Sequence, residues 1–255
     1  MRTHFVIPDT QCKQGVPFNH LTAAGNYIVE HKPGTIIHLA DHWDMPSLSS
    51  YDRGKRSFEG RRYKADVEAG LHGMETLLAP LVKHNTSRKR CGLEPYKPRM
   101  VFTLGNHEQR IERAIEADAV LDGTIGYEDL KLDKFGWEVH PFLQPVEIDG
   151  VYYAHYFYNP MTGKPYGGLA STRLKNIGFS FTQGHQQGRD EAERSLANGR
   201  TMRGLIVGSF YQHDEDYKGP QGNHHWRGCI MKHEVKDGNY CLLELSLNYL
   251  LREWT

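Results

Sequence analysis

Five short apolar runs in this sequence each end in a residue that can bind a metal or carry a proton. Residues 3–8 end at Asp9-Thr10-Gln11, residues 35–40 at Asp41-His42-Trp43-Asp44, and residues 100–104 at Gly105-Asn106-His107-Glu108. Residues 151–154 end at His155, and residues 179–182 lead into Gly184-His185-Gln186-Gln187. Each group has an ordinary reading alone: Asp9 as a turn former, Asn106 as a helix cap, His155 as a surface residue at a strand end. If the runs are strands of a parallel-type sheet, their ends line up and the groups converge, where open α/β sheets place their ligands. Carboxylate, amide and imidazole groups without a thiolate suit Mn, Fe, Zn or Mg. A site with this many ligands can hold two ions about 3.5–4 Å apart, which clamp a phosphoryl group and acidify a bound water.

The elements that must position these groups read from periodicity. Residues 19–31 place Leu21, Ala24 and Ile28 at helical spacing, and Tyr63, Val67, Leu71, Met74, Leu78 and Leu81 mark one face of a long helix. Residues 45–62 carry no period, and residues 83–99, rich in Lys, Arg, Pro and Gly, read as a loop. A helix is expected over 108–119 and a short one over 127–134. The first half thus alternates strand and helix, the pattern of a parallel sheet with right-handed crossovers. In the second half short strands are expected over 137–142, 146–148, 151–155, 179–182, 202–209, 228–235 and 240–247, with a helix over 167–177. Asp149-Gly150 and the stretch from Lys236 to Asn239 read as hairpin turns. The expected fold class is α/β: a four-layer α/β/β/α sandwich, two mixed sheets packed face to face with helices outside, in a single domain over residues 1–255.

The chain's 255 residues can bury a core without disulfides or structural metal. Hydrophobic residues make up 38%, and no apolar run approaches the roughly 20 residues of a membrane span. The N-terminus enters a strand pattern directly, without the charged and apolar segments of a signal peptide. Cys12, Cys91, Cys229 and Cys241 are widely spaced with no Cys-x-x-Cys, which suits reduced thiols and a cytoplasmic protein. A formal net charge of zero excludes a global attraction to nucleic acid. The 15 histidines lean toward metal or acid–base chemistry.

Taken in order, Asp9-x-Gln11, Asp41-x-x-Asp44, Gly105-Asn106-His107-Glu108, His155 and Gly184-His185-x-Gln187 resemble the signature of the calcineurin-like metallophosphoesterases. That signature is Asp-x-His, Gly-Asp-x-x-Asp, Gly-Asn-His-Asp/Glu, a lone His and Gly-His-x-His. The resemblance implies a phosphoric ester hydrolase with a dinuclear metal site and a metal-bound hydroxide as attacking group. It implies that Asp41 bridges two ions, that Asp9 with Asp41 serves the first, and that Asn106, His155 and His185 with Asp41 serve the second. His107 would protonate the leaving oxygen or hold the phosphate, and Asp44 would orient it. The sequence departs from the pattern at Gln11 and Gln187, where first-ion imidazoles are expected, and at Ala40, where Gly is usual. An amide carbonyl is a weaker and harder ligand than imidazole. The first ion is therefore expected to bind weakly and to prefer Mn or Mg over Zn; Mn is the expected cofactor, with Mg, Fe and Zn as alternatives.

The segment after Asp44 is basic and aromatic. Arg53, Arg56 and Arg61 are expected to bind substrate, with Tyr51, Phe58 and Tyr63 available to stack on bases. This favours a phosphodiester of a nucleotide or nucleic acid, while zero net charge argues against tracking along a duplex. Lys83, Arg88, Lys89 and Arg90 read as a solvated surface run. Residues 213–216 and 224–226 form a second polar region expected near the site. Two alternatives stand beside the diesterase: a phosphomonoesterase acting on proteins or small molecules, and a non-catalytic nucleotide-binding module, which Gln11 and Gln187 keep open. No membrane partner is expected, and the oligomeric state is left open.

Overall fold

In a computed structural model, which describes residues 2–52, 54–215 and 218–255, the first strand shows how the layers are built. Every residue of β1 (His4–Ile7) is buried. Phe5 and Ile7 pack among Leu21, Ala24, Tyr27 and Ile28, whereas Val6 packs among Val151, Tyr153 and Leu205. Successive side chains of a strand point to opposite faces, so one strand serves two cores. That is why these runs are apolar throughout rather than alternating.

The chain continues through α1 (Asn19–His31), β2 (Thr35–His38), α2 (Tyr63–Arg90), β3 (Arg99–Thr103), α3 (Arg110–Ala117) and β4 (Glu138–His140). Then come β5 (Val146–Ile148), β6 (Val151–Ala154), a small hairpin of β7 (Tyr158–Asn159) and β8 (Lys164–Pro165), α4 (Ala170–Ile177), β9 (Phe181–Gln183), β10 (Arg189–Ser195) and β11 (Thr201–Val207). The last elements are α5 (Gly219–Asn223), β12 (Gly228–Lys236), β13 (Asn239–Ser246) and α6 (Leu247–Trp254). One sheet has the order β13-β12-β1-β2-β3-β4, with β1 to β4 parallel and β12 antiparallel to β1. The other has the order β10-β11-β9-β6-β5, with β6, β9 and β11 parallel. Val6, Ile37, Val101, Val151, Tyr153, Leu205 and Ile230 fill the space between the two sheets. Helices α1, α2 and α6 cover the first sheet, and Leu174 of α4 packs with Phe181 on the far side of the second. This is the expected layered α/β/β/α sandwich.

One expectation is corrected, and two elements appear that were not expected. Helix α2 does not stop near residue 82 but runs to Arg90. Residues 83–90 hold no Gly or Pro, so the helix propagates past its apolar stripe until Gly92, at φ +70°, ends it. There Leu93 N–H donates to Arg88 O and Gly92 N–H to Lys89 O, a Schellman closure. Strand β10 carries no apolar run, because it is an edge strand held by its pairing to β11. Helix α6 follows β13 directly, with the Ser246 hydroxyl capping it. No helix among the described residues is long and apolar enough to cross a membrane.

Candidate metal centre

The carboxyl ends of β1, β2 and β3 in one sheet meet those of β6 and β9 in the other. The five motifs therefore converge from two sheets rather than along one edge. The backbone pays local strain to aim them: Gln11 (φ 42°), Ala40 (φ 67°), Asp41 (φ 42°) and His185 (φ 63°) all lie in the left-handed region. Each such residue costs about 1–3 kcal/mol and persists only where its surroundings hold it. Glu108 does much of the holding at the Asp41 turn. Its fully buried carboxylate accepts the main-chain N–H groups of Asp41 (3.2 Å), His42 (2.8 Å), Trp43 (3.2 Å) and Gly105 (3.1 Å). Beneath it, His42 Nε2 donates to Gly70 O (2.9 Å) and its Nδ1 accepts from the Thr10 hydroxyl (2.7 Å), tying the β1 and β2 turns to α2.

Two glycines let the turns approach the acids. A Cβ on Gly105 would stand 2.4 Å from Asp41 Oδ1, and one on Gly184 would stand 2.5 Å from Asp9 Oδ1. The same oxygens accept main-chain N–H groups, Asp41 Oδ1 from His107 (3.0 Å) and Asp9 Oδ1 from His185 (3.1 Å).

The second-ion set is brought together closely. Ligand atoms of Asp41, His155 and His185 all lie within 4.8 Å of one another. His155 Nδ1 donates to Leu39 O (2.7 Å), which leaves Nε2 facing inward, 2.8 Å from Asn106 Oδ1 and 3.3 Å from Asp41 Oδ2. Three lone-pair atoms facing one another need a cation between them. Without a metal a proton fills that place: burial opposes charging His155, yet the Asp41 and Asp9 carboxylates push its pKa up to about 9. Burial likewise acts to raise Asp41, but His107, His155 and His185 hold its carboxyl well below the usual range.

The first-ion set is thinner. Asp9 Oδ2 and Gln11 Oε1 are buried and have no hydrogen-bond partner among the described residues. Burial and the nearby Asp41 push Asp9 up to about 6. Two buried oxygens without hydrogen-bond partners fit a hard cation. Gln187 is engaged elsewhere: its Oε1 accepts the Tyr211 hydroxyl, which also receives Lys218 Nζ (3.1 Å).

His107 lies at the edge of the cluster, 12% exposed, with Nε2 3.6 Å from Asp41 Oδ2. Its Nδ1 lies 3.2 Å from Asp44 Oδ1, not yet aligned as a hydrogen bond. Burial acts to raise the Asp44 carboxyl, but His107, Lys13 and Arg110 hold it down at about 2. Cys12 is buried and its thiol is pushed above its ordinary range by burial, so it offers no nucleophile.

Two of the three arginines expected to bind substrate, Arg56 and Arg61, lie among the described residues of the basic loop. Arg61 donates to Asp52 Oδ2 (2.8 Å) and Pro46 O (3.1 Å), Arg56 is exposed, and Arg53 lies outside the described residues. The Tyr63 hydroxyl is tied to Asp129 (2.7 Å). Cations among the described residues that touch the site include Arg110, on Asp44 O (2.6 Å), Arg113, on Asn106 O (2.7 Å), and Lys13, 3.5 Å from Asp44 Oδ2. Arg110 and Arg113 follow Asn106 by four and seven residues, at helical spacing, and Lys13 follows Asp9 by four residues, so position relative to the motifs is the signal that charge clustering hides. Of the second polar region, Glu215 is buried against Lys13 and His213, His225 bonds to Ser209 (2.7 Å), and Asp216 lies outside the described residues.

No protein-family model matches the chain, and no curated protein does. One solved crystal structure covers 95% of this chain and 98% of its own at 10% identity, with a TM-score of 0.38, a likeness too low to carry an argument.

Proposed function

We propose that this protein is a metal-dependent phosphoesterase of the calcineurin-like kind, cleaving a phosphodiester of a nucleotide or nucleic acid in the cytoplasm. The observation that carries the proposal is the inward-facing set of Asp41, Asn106, His155 and His185, whose ligand atoms converge on a place that a proton on His155 fills when no metal does. Asn106, His155, His185 and Asp41 would hold one divalent ion; Asp9, Gln11 and Asp41 would hold a second, with Mn the expected metal. When bound, such ions supply charge neutralisation at the phosphoryl oxygens and acidify the attacking water.

The chain's own residues supply the rest. Asp41 would belong to both sets of ligands. His107 presents Nε2 at the open edge, where it can hold a phosphoryl oxygen or give a proton to the leaving oxygen. Asp44 faces the other ring nitrogen and favours the imidazole that carries its proton toward Asp44 until charged. Arg110 and Arg113 add positive charge at the rim on the same side. Four free thiols fit a reducing cytoplasm.

The test is a panel of a mononucleotide, bis(4-nitrophenyl) phosphate and single-stranded DNA, each with Mn, Mg, Zn or no metal. Cleavage of the diesters with Mn, lost by about 100-fold or more in His107→Ala at unchanged metal content, is expected. Preferential cleavage of the mononucleotide would make the protein a monoesterase. Binding of nucleotide without cleavage under any ion would make it a binding module.

A further inference from the structure

Asp44 is held unlike the other acids of the site. Asp9 and Asp41 each accept a main-chain N–H. Among the described residues the Asp44 carboxylate accepts none; one oxygen faces His107 Nδ1 (3.2 Å) and the other faces Lys13 Nζ (3.5 Å). Lys13 Nζ in turn lies 2.7 Å from Glu215 Oε1, and His213 Nε2 lies 2.7 Å from the same oxygen. Glu215 is 7% exposed, far from the usual place of a glutamate. Its own segment is fixed at both faces: Glu215 N–H donates to Asn223 Oδ1 (2.9 Å), Asn223 Nδ2 donates back to Glu215 O (3.0 Å), and upstream Phe210 N–H donates to Asp9 O (2.8 Å).

We propose that Lys13 and Glu215 are positioning residues for the Asp44–His107 pair, an arm through which the segment joining the two sheets sets the orientation of the group that faces the leaving oxygen. The inference rests on the role given to His107 above. Lys13 alone, on a long flexible stem and 23% exposed, would lose much rotamer freedom in holding Asp44. Glu215 takes that ammonium from the opposite side and fixes it, while a buried glutamate is made tolerable by Lys13 and His213. Removing Lys13 frees Asp44 to rotate, and His107 then loses the partner that fixes its ring.

The consequence is selective. A nitrophenolate leaves without a proton, whereas the alkoxide of a nucleoside needs one. The test compares kcat and KM for a dinucleotide and for bis(4-nitrophenyl) phosphate, with Mn, in wild type, Lys13→Met, Lys13→Arg, Glu215→Gln and His107→Ala. Lys13→Met is expected to lower kcat on the dinucleotide about 10- to 100-fold, a part of what general acid catalysis contributes, while bis(4-nitrophenyl) phosphate falls by less than about threefold and KM stays put. Glu215→Gln, which keeps shape and fold, is expected to do the same more weakly, Lys13→Arg to restore most of the rate, and a variant carrying both Lys13→Met and Glu215→Gln to be no worse than Lys13→Met, as for groups acting as one unit. If Lys13→Met and Glu215→Gln affect both substrates equally, or neither, while His107→Ala discriminates, the arm alone is overturned. If His107→Ala does not discriminate, or the wild type cleaves neither substrate, the reading of His107 fails and the arm fails with it.

Discussion

A methyl group added at Gly105 or Gly184 tests the proposed metal centre without replacing any of its ligands. Neither glycine has a positive φ, so alanine fits both backbones and only the new Cβ matters. At Gly105 it would lie 2.4 Å from Asp41 Oδ1 and 2.9 Å from Ala40 Cβ; at Gly184 it would lie 2.5 Å from Asp9 Oδ1. Real contacts of this kind stay above 3.0 Å, so each carboxylate oxygen must retreat by about half an ångström, at an overpacking cost of about 1–3 kcal/mol. Ligand positions tolerate only about 0.2 Å, so metal affinity is expected to fall roughly 10- to 100-fold, as when an outer-shell support is lost. The two variants should differ. On the proposed assignment Gly105→Ala displaces Asp41 and is expected to weaken both ions, whereas Gly184→Ala displaces Asp9 and is expected to weaken the first ion alone. Calorimetric titration with Mn alongside thermal melts reads this out, with Gly167→Ala, which meets nothing within 4 Å, as the control. If Gly105→Ala folds and binds Mn like wild type, Asp41 is not a ligand and the centre is misassigned.

The remaining predictions concern stability. Mn at about 100 times its Kd should stabilise the fold by about 2.7 kcal/mol and raise Tm by roughly 5–10 °C; a chain whose melting ignores Mn, Mg, Fe and Zn alike would have no such centre. Lys232 is fully buried between the sheets, near Thr182 and the Tyr153 hydroxyl and over the Tyr240 ring, and burial holds its pKa well below the ordinary 10.5. The unfolded chain therefore binds a proton below pH 10.5 that the folded chain does not, and this contribution to stability falls as pH drops below that value. Lys232→Met should raise the urea midpoint at pH 7 and gain least near pH 10; equal gains at both would show that Lys232 is charged when folded.

Much of the fold was legible because burial leaves its mark on composition. The apolar runs in residues 3–8, 35–40 and 99–104 became strands packed on both faces, and the spacing of Leu21, Ala24 and Ile28 became the buried face of α1. What was hidden lacked that mark. Strand β10, Arg189–Ser195, is set by hydrogen bonds to β11 rather than by its side chains, and the last turns of α2 continue because nothing stops them before Gly92.

The site divides the same way. By itself the sequence determined which chemistry is available: Asp, Asn, His and Gln delivered at strand ends, with His107 on the turn before a helix. Only the tertiary structure decided that these ends meet from two sheets, that Leu39 O turns His155 Nε2 inward, and that Gly105 and Gly184 admit the acids. It also decided that Arg61 is spent on Asp52 while Lys13 reaches Asp44, and that Glu215 is buried behind it. The reason is physical. Residue type and local period follow from the chain's own backbone, but the partner of a side chain depends on which elements lie beside it, and pairs such as Lys13 with Glu215 lie about 200 residues apart.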